Sequence, residues 1–378
     1  MIGISATWQR KNRIANLASK LDRKPAGLRA HRFGSGRSPP RCLLWLSLTP
    51  RVFLFKVRRR LRPKILPGNT FKAAALRRHG ADTDRVDDST LQMWIDFSLS
   101  SVERGRQAVA SMGGVEAFAG RNVLDVGCAY GGFLVAAKEA GARRVVGVDI
   151  DSNLLELARL QLADHHVTAD LSIEDITSEG VAARRGKFDI VLCNDVIEHV
   201  VDPLRCAANL ASVMNRGGKV FLEIPNGNAV DFMRRDGHYG LFGLTLLGRS
   251  EAERWWRLHY QDNYGVEHYA PLSYYLSIFS EAGISLRLLT RVENPAKRVE
   301  EVAETFDRLE EELAALEKEE APDLADAIRR RGAEEIQRFR RLRERLDASE
   351  VAAERSIITD EILATYGMTF WTLEGTKL

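Results

Sequence analysis

Sulfur chemistry is sparse in this 378-residue chain: its four cysteines, Cys42, Cys128, Cys193 and Cys206, make no CxxC pair and have no histidine at zinc spacing. That excludes a zinc ribbon and a disulfide framework and fits a reducing compartment, the cytoplasm. Long apolar runs are also missing. The longest, CLLWLSL at 42–48, stops at Thr49-Pro50-Arg51, far short of the roughly 18–20 apolar residues a membrane-spanning helix needs. A secretory signal is not expected either, because a polar and basic stretch precedes that run and no small-residue cleavage site follows it. An Arg-rich, acid-poor beginning is also compatible with an organelle transit segment.

Acids are nearly absent from the first 80 residues, where 20 Lys and Arg face one acid, Asp22, for a balance of +19. The remainder stands at −16, so the formal net charge of +3 hides a basic arm on an acidic body. Such arms meet phosphate or anionic lipid. Residues 1–86 are therefore expected to form a poorly ordered arm with peripheral membrane contact as its candidate role. The body, in a chain 45% apolar and 28% charged, has the composition of a folded globular protein.

From about Asp87 the texture changes. LQMWIDFSLSSVERGRQAVASM at 91–112 places apolar residues at helical spacing ahead of Gly113-Gly114. NVLDVG, RVVGVDI, KFDIVLCN and KVFLEIP then alternate with helical stretches, which implies βαβ units, a parallel sheet and an α/β class with helices on both faces. The core is expected over 87–295. A Gly- and aromatic-rich lid should occupy about 227–275. Over 296–365, Val299, Val302, Phe306, Leu309, Leu313 and Leu316 step by 3 and 4 as in a coiled-coil seam. Pro322 divides an acidic half from a basic one, so an antiparallel helical hairpin inserted before the last strand is expected, with homodimerisation as its candidate role. MTFWTLEGTKL, within 366–378, alternates as a final strand.

The GxGxxG run of a dinucleotide-binding dehydrogenase is absent. Instead VLDVGCAYGG at 123–132 places Asp125 two residues before Gly127 and turns through Gly131 and Gly132 into a helix, where glycines admit close backbone approach and the helix start offers free N–H groups. Asp149 ends the next strand, placed to accept hydrogen bonds from ribose hydroxyls. Asp175 falls where a third strand should end, within reach of an exocyclic adenine amine. Acids at successive strand ends mark the edge where open α/β sheets bind ligands.

In these motifs the chain resembles the class I S-adenosylmethionine-dependent methyltransferases, over about 115–291 plus the last strand. The resemblance implies a Rossmann-like sheet and S-adenosyl-L-methionine as cofactor. It makes Asp125, Gly127 and Gly131 the loop around the methionine moiety, Asp149 the ribose acid, Asp175 the adenine-side acid and Asn194 a lining residue after strand four. CNDVIEHVVDP at 193–203 and GGKVFLEIPN at 217–226 are most similar to the branch containing ubiquinone-biosynthesis O-methyltransferases. Ala129 stands where the usual GxGxG has its middle glycine.

The Asp/Asn-Pro-Pro-aromatic run of amino-methylating enzymes is replaced by Asn194-Asp195-Val196-Ile197, so nucleic acid is not expected as a substrate. His199 is the candidate general base, followed by His238, His259 and His268 on the lid. In the resembling quinone enzymes a Glu-x-x-Glu-His arrangement holds a divalent metal; the matching residues are Asp195, Glu198 and His199. The expected activity is methyl transfer to a small-molecule acceptor, at oxygen. The alternatives are a lipid-linked or saccharide acceptor at a membrane surface, and a non-catalytic cofactor-binding scaffold.

Overall fold

The computed structural model describes residues 70–80, 88–260, 264–316 and 321–378. The CLLWLSL run and the arm through residue 69 lie outside the described residues. Residues 70–80 of the expected arm are described. Phe71–Gly80 form helix α1, with Phe71 and Ala75 packed on Leu157. Its alanines favour the helix. The backbone N–H of Phe71 donates to Asp164 at 2.8 Å, and Arg78 pairs with Asp151 at 3.4 Å, so this stretch is anchored rather than free.

The helix expected over 91–112 is two helices, α2 (Asp88–Leu99) and α3 (Ser101–Ser111). Serines cause the break: Ser98 Oγ donates to the Ile95 carbonyl at 2.8 Å and Ser100 Oγ to that of Phe97 at 3.3 Å, the local competition that makes serine a poor helix-interior residue. A short helix α4 (Gly114–Phe118) then leads into the sheet.

Among the described residues seven strands form one mixed sheet: β1 (Asn122–Val126), β2 (Arg144–Asp149), β3 (Asp170–Ile173), β4 (Phe188–Asn194), β5 (Met214–Pro225), β6 (Ile284–Leu288) and β7 (Phe370–Lys377). Their order is β3-β2-β1-β4-β5-β7-β6, with β1 to β5 parallel and β7 antiparallel to both neighbours. The order reverses between β1 and β4, and a crevice at such a switch point is where open α/β sheets take ligands.

Side chains alternate between two buried faces. Val123, Val145, Ile190 and Leu192 pack under α3, α5 (Gly132–Glu139) and α6 (Ser152–Asp164). Leu124, Val146, Val191 and Cys193 pack under α7 (Val181–Arg185), α8 (Pro203–Val213) and α11, the helix at Leu272–Glu281. Local capping sets helix starts: Asp151 accepts the Asn153 N–H ahead of α6, and Asp202 accepts that of Arg205 ahead of α8, where Pro203 occupies the first turn.

After β5 the stretch expected as a lid carries α9 (Val230–Arg234) and α10 (Arg249–His259). Between β6 and β7 lie α12 (Pro295–Ala315), α13 (Pro322–Ala348) and a third helix, α14 (Ala352–Ile362), which the expected two-helix hairpin did not include. The first two run antiparallel: Glu300 pairs with Arg343, Phe306 stacks on Phe339 at 4.5 Å, and Leu313 meets Gly332, where any Cβ would stand 2.5 Å from Leu313 Cδ1. Val299, Val302, Phe306, Leu309 and Leu313 share one core with Leu244, Trp255 and Trp256 of the lid. The heptad seam is thus filled from within the chain, and the insertion packs as one body with the lid.

Candidate active site

The Gly-rich turn leaves β1 at the switch point. Gly127 (φ +68°) and Cys128 both donate backbone N–H groups to the Val148 carbonyl, at 2.8 and 3.0 Å, which ties the turn to β2. Gly131 takes φ +75° to start α5. The close approach at Gly132 serves α3: a Cβ there would lie 2.3 Å from the Ser101 carbonyl carbon. That contact brings Arg104 of α3 over the strand ends.

Asp149, 7% exposed, closes the edge on the β2 side. It accepts the N–H of Ala129 at one oxygen and that of Asp151 at the other, both at 2.9 Å. Asp125 is buried, and its Oδ2 has no hydrogen-bond partner within the chain. Burial, and then the nearby Asp149 charge, push its carboxyl well above the usual range, with Arg104 partly opposing. Burial also raises Asp149. Asn194, at the end of β4, buries both polar side-chain atoms without a partner. Buried polar groups are nearly always hydrogen-bonded, so an edge with open valences at Asp125 and Asn194 fits a polar ligand such as the expected cofactor.

Asp175 is placed differently. It lies beyond β3, exposed, and its Oδ1 takes both the N–H and the hydroxyl of Thr177, at 2.8 and 2.7 Å. The neighbouring Glu174 is the buried acid, held by Arg184 and Arg185.

Beyond Asn194, β4 leads into a 3-10 turn, Ile197–His199. Asp195, at φ +53°, faces Arg104 with its Oδ2 at 3.4 Å. Burial, then the Glu198 and Glu223 charges, push its carboxyl up to about 7. Glu198 is fully buried, and neither of its oxygens has a hydrogen-bond partner. Its Oε1 faces Nε2 of His238 at 3.4 Å and Nε2 of His199 at 3.5 Å. Burial would raise Glu198, but the two imidazoles outweigh it and hold the carboxyl below its usual range. His238 is raised, because Glu198 outweighs the opposing effect of burial. His199 also has its Nδ1 2.8 Å from the Gly265 carbonyl oxygen.

The metal ligands implied by the resemblance therefore regroup. Ligand atoms of Glu198, His199 and His238 lie within 4.8 Å of one another, while Asp195 is turned to Arg104. Of the other lid histidines, His268 buries Nε2 without a partner, and burial lowers its pKa. His259 bonds the Trp255 carbonyl within α10. Sequence reasoning missed Arg104, which also places its guanidinium 3.7 Å from the Phe97 ring; no motif marks it, because the Gly132 contact is what positions it. A concavity of about 200 Å³ lined by Arg121, Asp189 and Lys219 lies at the opposite, amino-terminal end of the strands, away from these groups.

A parallel sheet with a reversed seventh strand and acids at the ends of β1 and β2 defines a Rossmann-like methyltransferase domain. Residues 103–288, just under half of the chain, match the family model described as a methyltransferase domain. Curated relatives include ubiquinone biosynthesis O-methyltransferases of Thiobacillus denitrificans (36% identical over 30% of this chain and 49% of that one) and Aromatoleum aromaticum (37% over 29% and 46%). The chain spans about half the length of the curated relatives it matches. Among solved structures, magnesium protoporphyrin IX methyltransferase from Synechocystis with bound SAH is 20% identical, with a TM-score of 0.38, over 58% of this chain and 87% of that one.

Proposed function

We propose that this chain transfers the methyl group of S-adenosylmethionine to an oxygen of a small-molecule acceptor held between the strand edge and the lid. The observation that carries the reading is Asn194, whose amide nitrogen and oxygen are both buried and unpartnered at the switch point beside the orphaned Asp125 oxygen. Bound there, the cofactor supplies a sulfonium-activated methyl group, whose thioether leaves without acid assistance. Asp149 would take the ribose hydroxyls, Asp125 and the Gly127–Gly131 turn the methionine portion, and Asp175 the adenine side through its remaining oxygen. Positioning then contributes most of the acceleration, because an in-line approach is what the transfer demands. An acceptor hydroxyl must also lose its proton. We assign that task to the Glu198, His199 and His238 group as a unit, since Nε2 of both imidazoles faces the same Glu198 oxygen.

The relatives named as O-methyltransferases support oxygen as the acceptor atom. The test is incubation of the full chain with labelled S-adenosylmethionine and a metabolite extract, with calorimetry of cofactor binding alongside. A labelled methoxy product supports the reading. Cofactor binding without any product supports the scaffold alternative, and a folded protein that does not bind the cofactor overturns both.

A second reading, an acceptor presented at a membrane surface, draws on the basic arm and on Val201 and Leu204, 85% and 50% exposed just past the acceptor-side turn. No helix among the described residues is long and apolar enough to cross a membrane, so that contact would be peripheral.

A further inference from the structure

Helices α1 and α2 precede the stretch that matches the family model, which begins at residue 103. They reach different sides of the crevice. On the cofactor side, Phe71 of α1 meets Tyr130 of the Gly-rich turn edge-on, with ring centroids 5.9 Å apart. Arg78, toward the other end of α1, pairs with Asp151 at 3.4 Å, and Asp151 in turn donates its N–H to the assigned ribose acid, Asp149, at 2.9 Å.

Helix α2 reaches the 236–241 turn that carries His238. Within that turn the Asp236 carboxylate accepts the N–H groups of His238, Tyr239 and Leu241 at 2.9–3.0 Å. From α2, Thr90 Oγ1 donates to the Tyr239 carbonyl at 3.1 Å and Trp94 Nε1 to the His238 carbonyl at 2.7 Å, while Ser89 Oγ accepts from Arg235. One turn further on, the Phe97 ring lies 3.7 Å from the guanidinium of Arg104. The two helices also pack on one another.

A helix in a folded protein is normally stabilised by burying one apolar stripe. The buried side chains of α2 are instead Thr90 and Ser98, and Leu91, Met93, Trp94, Ile95, Phe97 and Leu99 all keep some exposure. Helix α1 buries only Phe71, Ala75 and His79. Single hydrogen bonds and one ion pair therefore hold this pair of helices more than a core does, and segments with few buried apolar contacts open at low free energy.

We infer that α1 and α2 form a clamp that fixes the cofactor side of the crevice to the 236–241 turn, opening to admit ligands and closing on them. Arg78 and Trp94 are its positioning residues: Arg78 acts through Asp151 on Asp149, and Trp94 acts through the His238 carbonyl on the turn. The hold on the cofactor rests on the methyltransferase reading; the mechanical link between the two ends does not.

The test is hydrogen exchange of the full chain with and without saturating S-adenosylmethionine, beside the rate at which that ligand dissociates. In the ligand-free chain, Arg78→Glu should quicken exchange at 236–241 about two- to fivefold, the reach of an exposed ion pair, although the substitution lies on the other side of the crevice. Coupling between sites is reciprocal, so in the wild type S-adenosylmethionine should slow exchange at 88–99 and 236–241 as well as at 125–151. Trp94→Phe, which keeps a ring but lacks the N–H, should speed dissociation about two- to tenfold, the net contribution of one hydrogen bond. Arg78→Lys should retain the wild-type rate. A purely structural pair of helices would lower the denaturant midpoint and leave dissociation unchanged. Wild-type exchange at 236–241 in folded Arg78→Glu overturns the clamp, as does wild-type dissociation from Trp94→Phe, or ligand protection confined to 125–151. If S-adenosylmethionine fails to bind while Arg78→Glu still quickens the turn, the methyltransferase reading falls and the clamp stands.

Discussion

Asp149 Oδ2 accepts the backbone N–H of Ala129 at 2.9 Å, so the acid that ends β2 also holds the turn that leaves β1. Ala129 sits at φ +41°, in the left-handed region, at the place where the resembling enzymes have glycine. A left-handed L-residue costs roughly 1–2 kcal/mol, and glycine would return part of that through its larger unfolded-state entropy, roughly 0.5–1 kcal/mol. Ala129→Gly is therefore expected to raise stability by up to about 1 kcal/mol, read as a higher denaturant midpoint with an unchanged slope. A lower midpoint would show that the alanine methyl packs favourably.

Asp149 also predicts how cofactor affinity depends on pH. Burial holds its carboxyl above the usual range despite the backbone N–H bonds it accepts. Ribose hydroxyls donate to the ionised form, so binding favours proton release. Affinity should fall as pH drops through the pKa of the free protein and reach a plateau above it. Asp125, raised in the same direction by burial, adds to the trend. Calorimetry in two buffers of different ionisation enthalpy should show protons released on binding at mildly acidic pH. Asp149→Ala should weaken binding by about 1–3 kcal/mol and flatten the profile. Affinity that rises on acidification would remove Asp149 from the ribose contact.

Arg104 lies 3.4 Å from Asp195 and 3.9 Å from Glu223, with its guanidinium over Phe97. Arg104→Ala leaves two largely buried acids without their cation and is expected to cost about 1–3 kcal/mol. Arg104→Lys restores the charge but not the planar stack on Phe97, so it should recover only part of the loss in chemical denaturation. Full recovery by lysine would mean that charge alone matters.

Most of the sheet was legible from the sequence, because β1, β2, β4 and β5 are apolar on alternating buried faces and the intervening helices carry capping signals such as Asp202-Pro203. Asp125, Asp149 and Asn194 were legible for the same reason: each is tied to a strand end. What the pattern did not reveal depends on contacts distant in sequence. The serine break after Leu99 lies inside a helical period, Asp175 is drawn away by Thr177, and His238 reaches Glu198 only because the Asp236 turn and Trp94 hold it there. The heptad spacing of α12 correctly marked an apolar stripe, but spacing does not say which surface covers a stripe, and here the lid does.

That shared core changes what disruption of the insertion should do. A freestanding hairpin would leave both cofactor and lid untouched. Phe306, 2% exposed, instead stacks on Phe339 and meets the edge of Tyr366 at 5.1 Å, within the core that includes Leu244, Trp255 and Trp256. Phe306→Ala should cost about 3–5 kcal/mol, the usual loss for a buried phenylalanine. The loss should fall on the lid, because Asp125, Asp149 and Asn194, which are assigned to the cofactor, sit on β1, β2 and β4, under a different core. Hydrogen exchange is expected to quicken across 230–260 and 296–366, while S-adenosylmethionine affinity stays within about twofold, under 0.5 kcal/mol. If exchange quickens in the sheet and not in the lid, the insertion supports the methyltransferase core directly, and the lid is not its partner.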